Sequence, residues 1–322
     1  MAHRQPELIH TIPPPVMIPP KKTIAIVGSA GRLGAYLADA LEKEHNVIRL
    51  ARPQIDLADL GSVERALQPL AYDLLVITGA LTAVDYCETH ADEAYAINAE
   101  APGKIAAISA AKGAHVTFIS TDMVHDGDKP EPYTEEDTPN PISVYGASKL
   151  KGEELVLAAS SANLVVRISW VFGPGKPAFP EWIINTACAK ADVTLPGNKI
   201  ACPTSCEDLT ELVMPLLFGV NGPASGVFNL CNSTPCTWRE WGQLCIDTAR
   251  GAGLPVLAGE IVGVPVNSVP AFVAKRPVNS AMSTDKYTAL TGIRPRDWQV
   301  ATRDFLLGSE LFASHRSLAE AV

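Results

Sequence analysis

The feature that most constrains this chain is a repeated alternation in its first half, where short β-rich apolar runs are each followed by a stretch of helical apolar spacing. Thr23–Val27, Asn46–Leu50, Leu74–Thr78, His115–Ser120 and Leu164–Ile168 read as strands. Arg32–Glu44, Ser62–Leu70, Ala91–Ala111 and about Ser143 to Ala159 read as helices between them. Such alternation predicts an α/β fold, a doubly wound parallel sheet of Rossmann type with helices on both faces. Ligands of these sheets sit beyond the carboxyl ends of the strands, where the strand order reverses. After about Phe172 the rhythm turns irregular, with Pro and Gly clustered at Gly173–Pro180 and Leu195–Pro203. The expected division is a nucleotide-binding domain over 23–172, with a return strand near 226–231, and a smaller substrate-binding lobe over 173–322. Within that second part, Val227–Leu230 reads as the return strand, and Trp238–Arg250 and Ser283–Leu290 read as helices.

The first turn of this pattern carries chemistry. Ile24-Ala-Ile-Val-Gly28-Ser-Ala30-Gly31-Arg32-Leu33-Gly34 is a buried strand, a tight turn and a helix start. Glycines suit a chain reversal and a backbone that must approach a pyrophosphate closely, and the helix N-terminus offers free N–H groups to the phosphate. The spacing G-x-x-G-x-x-G makes Gly28, Ala30, Gly31, Arg32, Leu33 and Gly34 a candidate dinucleotide cradle. No acidic residue ends the second strand to hold ribose hydroxyls. Arg32 and Arg52 instead favour a 2′-phosphate, hence NADPH over NADH. Asp56 and Leu57 are candidates for the adenine side, with helix capping the other reading of Asp56. Gly79 and Ala80, after the third strand, are expected to pass the cofactor.

Tyr145 and Lys149 stand four residues apart in Tyr-Gly-Ala-Ser-Lys, on one face of a predicted helix. A phenol exchanges protons poorly near neutral pH unless a neighbouring cation favours the phenolate. Thr121 follows the fourth strand, where its hydroxyl can point into the crevice. The set predicts carbonyl reduction, with hydride from a nicotinamide and the proton from Tyr145.

The segments Ser120-Thr-Asp-Met-Val-His-Asp-Gly127, Pro132–Pro141 and Val144–Glu153 resemble the extended short-chain dehydrogenase/reductase family, and within it the dTDP-4-dehydrorhamnose reductases. So do Thr82-Ala-Val-Asp85 with Glu88, Arg167–Gly173, Cys202-Pro-Thr204 and Arg276–Ser280, and the likeness runs from about Thr23 to Phe305. The resemblance implies a reductase of a 4-keto nucleotide-deoxysugar, with Thr121, Tyr145 and Lys149 catalytic and Gly28, Gly31 and Gly34 as the glycine fingerprint. It brings Thr82 to the cofactor, Asp85 and Trp170 to the sugar pocket, and Arg276 to the nucleotide diphosphate. Met123 and His125 stand where the family commonly has an aromatic pair, and both are expected at the substrate, with proton shuttling the less favoured role of His125. The stretch before Pro203 reads Asn198-Lys-Ile-Ala-Cys rather than Asp-Gln-x-Gly-x. Two alternatives stay open at this point. One is an epimerase on the same fold. The other is a regulatory subunit similar to the methionine adenosyltransferase beta subunit. A dehydratase is disfavoured, since Asp122 is followed by Met123 and not by an acid.

A net charge of −9 argues against nucleic acid and anionic membrane as partners. The seven dispersed cysteines read as buried apolar groups of a reducing compartment, and no His/Cys/Asp/Glu cluster suggests a metal. Residues 1–22 hold six prolines and no apolar signal core, so an extended tail and a cytoplasmic protein are expected, with a homodimer as the anticipated assembly.

Overall fold

In the computed structural model, which describes residues 21–219, 221–309 and 312, the expected strands pair into one parallel sheet. They are β1 (Thr23–Val27), β2 (Asn46–Leu50), β3 (Leu74–Ile77), β4 (His115–Thr121), β5 (Leu164–Ile168) and β6 (Gly226–Asn229), in the order β6-β5-β4-β3-β1-β2. Thr23 stands opposite Asn46 and Ile24 opposite Leu74, so β1 lies between β2 and β3. The order turns at β1, and the crevice between β1 and β3 is the switch point at which such sheets bind ligands. The proline-rich tail expected over residues 1–22 lies outside the described residues but for its last two.

The apolar runs are continuous because both faces of the sheet are covered. Ile24, Ile26, Leu74, Val76 and Val166 point to one side, beneath Leu37 of helix Arg32–Leu41 and Leu209, Leu212 and Val213 of helix Cys206–Leu217. Ala25, Val27, Leu75, Ile77 and Val165 point to the other, beneath Val63, Ile105 and Val156 of helices Leu60–Leu67, Ala101–Ala111 and Val144–Ala159. A separate core gathers helices Phe179–Ala189, Trp238–Gly251 and Trp298–Gly308 around Phe172, Ile183, Trp241 and Trp298.

The single helix expected over Ala91–Ala111 is broken. Ala91–Tyr95 is α-helical, Ala96–Glu100 is a π-helical turn, and a second α-helix runs over Ala101–Ala111. Pro102 has no N–H to return to the Asn98 carbonyl, so the ladder widens there. The widened turn carries Asn98 inward to a fully buried position. Its amide accepts from Leu81 N at 2.8 Å and donates to Leu81 O at 3.0 Å and to Ser148 Oγ at 3.1 Å.

Candidate active site

A cleft of about 760 Å³ opens at the carboxyl ends of the strands, and one wall is the glycine turn. Gly28 has φ +92°, a conformation that L side chains avoid. A Cβ there would run into the Gly79 backbone, and one on Gly34 into the Gly28 carbonyl and Thr78 Oγ1. These two glycines let β1 close on the loop after β3. Gly31 differs: its φ is −77°, and the nearest atom to an added Cβ is Gly28 O at 3.1 Å. It begins helix Arg32–Leu41 with no side-chain cap, so the first N–H groups of that helix remain for a ligand. The donors, the partial positive charge and the open approach fit a dinucleotide pyrophosphate.

Every residue expected at the cofactor lines this cleft: the turn from Gly28 to Gly34 other than Ser29, then Arg52, Asp56 and Leu57, then Gly79, Ala80 and Thr82. Arg32 has a different duty from the one expected, and the capping alternative for Asp56 fails. The Arg32 guanidinium crosses the cleft to donate to the carbonyls of Gly173, Lys176 (2.5 Å) and Pro177 (3.3 Å), stapling the 173–177 loop over the glycine turn. A guanidinium held by three carbonyls is not available to a 2′-phosphate, which leaves Arg52, exposed on the rim and without a partner among the described residues. Asp56 does not cap a helix. Its Oδ1 accepts from Ala58 N at 3.0 Å in a local turn, while Asp59 caps helix Leu60–Leu67.

Thr121, Tyr145 and Lys149 share the opposite wall. Thr121 ends β4. Ser143 caps helix Val144–Ala159, its Oγ accepting from Gly146 N at 3.2 Å, which sets Tyr145 in the first turn and Lys149 one turn on. Burial raises the Tyr145 phenol above its ordinary range, outweighing the Thr121 hydroxyl beside it, which acts to lower it. The Lys149 ammonium does not face the phenol as expected. It donates to Ile119 O at 2.7 Å and lies 3.8 Å from the Phe118 ring centroid. Burial brings its pKa down to about 7. One turn further, Glu153 is paired in the interior with Arg167 at 2.7 Å and accepts from Ser120 Oγ at 2.5 Å, anchoring the helix to β4 and β5.

The residues expected at the substrate divide. Trp170 lines the cleft with φ +41°, a conformation costly for a bulky side chain and a mark of functional sites. Its indole stacks against Trp241 at 5.7 Å, within an aromatic group that includes Trp238 and Phe179. Met123 packs against Tyr145 beside the cleft. Asp85 and Arg276 hold each other, Arg276 donating to Asp85 Oδ2 at 2.6 Å and Oδ1 at 3.0 Å. Asp85 also accepts from the backbone of Val273 and Ala274, and Arg276 holds its carboxyl down at about 2. The pair thereby ties the 273–276 loop to the helix after β3 (Val84–Thr89). His125 is not at the cleft: its ring is fully buried and stacked on Tyr133 at 4.1 Å, and burial lowers its pKa to about 4. That position makes it a packing residue and not a proton carrier. Asn98 and Lys176 were missed by sequence reasoning. A lone Asn in an alanine-rich run four residues before a proline was the available signal for the first, and none existed for the second.

Fold and cleft together define a Rossmann-type NAD(P)-binding protein of the extended short-chain dehydrogenase/reductase class. A sequence model of the family described as RmlD substrate binding domain matches residues 22–310, and the chain belongs to that family. A dTDP-4-dehydrorhamnose reductase of Sinorhizobium fredii is 31% identical over 290 residues, 87% of this chain and 95% of that protein. The spore coat polysaccharide biosynthesis protein SpsK of Bacillus subtilis is 32% identical over 286 residues, covering 88% and 96%. The crystal structure of dTDP-4-dehydrorhamnose reductase from Bacillus anthracis in complex with NADP superposes with a TM-score of 0.82 at 26% identity, over 90% of this chain and 100% of that one.

Proposed function

We propose that this chain is an NADPH-dependent reductase of a dTDP-linked 4-keto-6-deoxysugar, with Tyr145 as proton donor. The observation that carries the reading is that Thr121 and Tyr145 share one cleft with the helix N-terminus behind Gly28. Sequence kinship supplies the substrate class: the relatives of Sinorhizobium fredii and Bacillus anthracis carry the name dTDP-4-dehydrorhamnose reductase. When bound, the nicotinamide supplies the hydride to the carbonyl carbon.

The chain's own residues do the rest. The N–H groups at the start of helix Arg32–Leu41 hold the pyrophosphate, and Arg52 meets a 2′-phosphate. Thr121 and Tyr145 hold the carbonyl oxygen, and the phenol passes its proton there as negative charge develops. A phenol raised by burial is a proton donor at neutral pH, the state reduction requires. Lys149, with a pKa near 7, would hold the nicotinamide ribose and the phenol in place of the Ile119 carbonyl. Trp170 forms a flat apolar face for the sugar, and Met123 the wall beside it. Arg276 exchanges Asp85 for the nucleotide diphosphate. The net charge of −9 supports a small-molecule partner over nucleic acid or anionic membrane. No helix among the described residues is long and apolar enough to cross a membrane. A cytoplasmic setting, a homodimeric assembly and a substrate lobe built mainly from residues 173–322 belong to the same proposal. Incubation with dTDP-4-keto-6-deoxyglucose or its 3,5-epimer and NADPH is expected to give a dTDP-6-deoxyhexose with loss of absorbance at 340 nm. No oxidation of NADPH with any 4-keto nucleotide sugar would refute the reading.

A further inference from the structure

One buried cation beside the reaction centre has no part in the chemistry above. Lys199 is only 2% exposed, and its Nζ donates to Ser280 Oγ at 2.7 Å. Ser280 Oγ donates in turn to Asp122 Oδ2 at 2.6 Å. Asp122 is 3% exposed; its Oδ2 also accepts from Ser169 Oγ at 3.0 Å, and its Oδ1 accepts from Thr121 Oγ1 at 3.1 Å. Hydrogen bonds therefore run without a gap from Lys199 to the hydroxyl that faces Tyr145. Trp170 lies alongside, its ring centroid 5.6 Å from the ammonium.

A buried carboxylate needs a countercharge as well as donors. Three hydroxyls supply donors to Asp122 but no charge, and the charge of Asp122 works against ionisation of Tyr145. Thr121 has one proton, and it goes to Asp122, so the phenol and a carbonyl oxygen compete with that carboxylate for it. The groups facing Lys199 are Asp122 from the segment after β4, Arg276 from the 273–280 segment and Cys202 from its own segment. Asp122 is the one linked to it through a hydrogen-bonded bridge.

We propose that Lys199 is a positioning residue of the reaction centre: acting through Ser280, its ammonium balances Asp122 and so fixes the Thr121 hydroxyl and the field on the Tyr145 phenol. The inference rests on the reductase reading. The pattern this segment resembles has a neutral Gln at this position, so the titratable group is this chain's own departure from it. Burial lowers the Lys199 pKa to about 8 while Asp122 pulls it back up, so the charge is lost just above neutrality.

Two measurements on the full chain test this. Carbon NMR of protein labelled at the lysine ε-carbons, with the Lys199 signal assigned by Lys199→Arg, is expected to show a titration near pH 8 that moves to lower pH in Asp122→Asn. The pH profile of kcat/KM is expected to contain a transition near pH 8 that Lys199→Gln lacks and Lys199→Arg moves upward, with the arginine variant recovering most of the rate. A purely structural lysine would lower the rate in both variants and leave the transition in place. An unmoved Lys199 titration in Asp122→Asn, or an unmoved profile in Lys199→Gln, overturns the proposal. If Lys199→Gln does not fold, Ser280→Ala keeps the lysine, removes the bridge and is read in the same way. Should the wild type reduce no 4-keto sugar while the NMR titration still responds to Asp122→Asn, it is the reductase reading that fails.

Discussion

Gly28 and Gly31 belong to one turn, yet replacing each by alanine should have opposite consequences. Gly28→Ala puts a Cβ at φ +92° and into the backbone of Gly79, which cannot rotate away as a side chain would. The left-handed conformation costs about 1–2 kcal/mol for a non-glycine residue. Overpacking against fixed atoms adds about 1–3 kcal/mol. The sum, roughly 2–5 kcal/mol, is a large share of a typical fold's stability of about 5–15 kcal/mol. Gly31→Ala meets no such strain, since its φ is −77°, and only a mild contact, its Cβ standing 3.1 Å from Gly28 O, which must give by a few tenths of an ångström. Its methyl instead points to where a pyrophosphate would approach the helix N-terminus. Displacing the phosphate by the same overpacking cost of about 1–3 kcal/mol corresponds to a ~5–150-fold weaker complex. Thermal unfolding without cofactor and fluorescence titration with NADPH separate the two effects. Gly28→Ala should lose several degrees of Tm. Gly31→Ala should keep Tm within about 2 °C, the shift expected of well under 1 kcal/mol, and lose affinity. A Gly31→Ala protein that binds NADPH as tightly as the wild type would refute the assignment of this turn to the pyrophosphate.

Other outcomes follow from the same geometry. Arg52→Ala should weaken NADPH and leave NADH nearly unchanged, because Arg32 is held by carbonyls; equal loss for both cofactors in parallel titrations would contradict this. His125 is neutral in the fold, with its pKa lowered to about 4, while an unfolded histidine takes up a proton near 6.5. Below pH 6.5 the unfolded state therefore binds the extra proton, and stability falls as pH drops from 6.5 toward 4, by at most about 3 kcal/mol. Urea unfolding across that range should show the loss, and His125→Phe should flatten it. Arg167→Met leaves the Glu153 carboxylate buried without its partner and should cost about 3–5 kcal/mol in the same assay. A loss under about 1 kcal/mol, the range of an exposed pair, would show that the pair is solvated in practice.

The nucleotide half was legible because its signals are local. The run Thr23–Val27 is apolar on both faces, its turn glycines follow at once, and Tyr145 and Lys149 are a helical turn apart. Helices Phe179–Ala189 and Cys206–Leu217 were not legible. The first begins among the prolines and glycines of 173–180, and the second contains Pro215, so punctuation masked their apolar faces. Partnerships across the fold were also hidden. Nothing near Arg32 announces the carbonyls of 173–177, and nothing near Asp85 announces Arg276. The position of Lys149 shows the same limit, since its spacing to Tyr145 suits a shared face but the Ile119 carbonyl is the acceptor its ammonium reaches. Spacing gives direction along a helix, whereas the partner is decided by what the tertiary fold brings within about 3 Å.

The most direct test of the central claim is turnover of a dTDP-4-keto-6-deoxysugar by Tyr145→Phe. The change removes one hydroxyl and leaves the ring in its packing beside Met123 and Cys87. NADPH affinity should stay within a few-fold of the wild type, while reduction falls by the ~10²–10⁴-fold that a positioned proton donor contributes. Reduction at the wild-type rate would contradict the account.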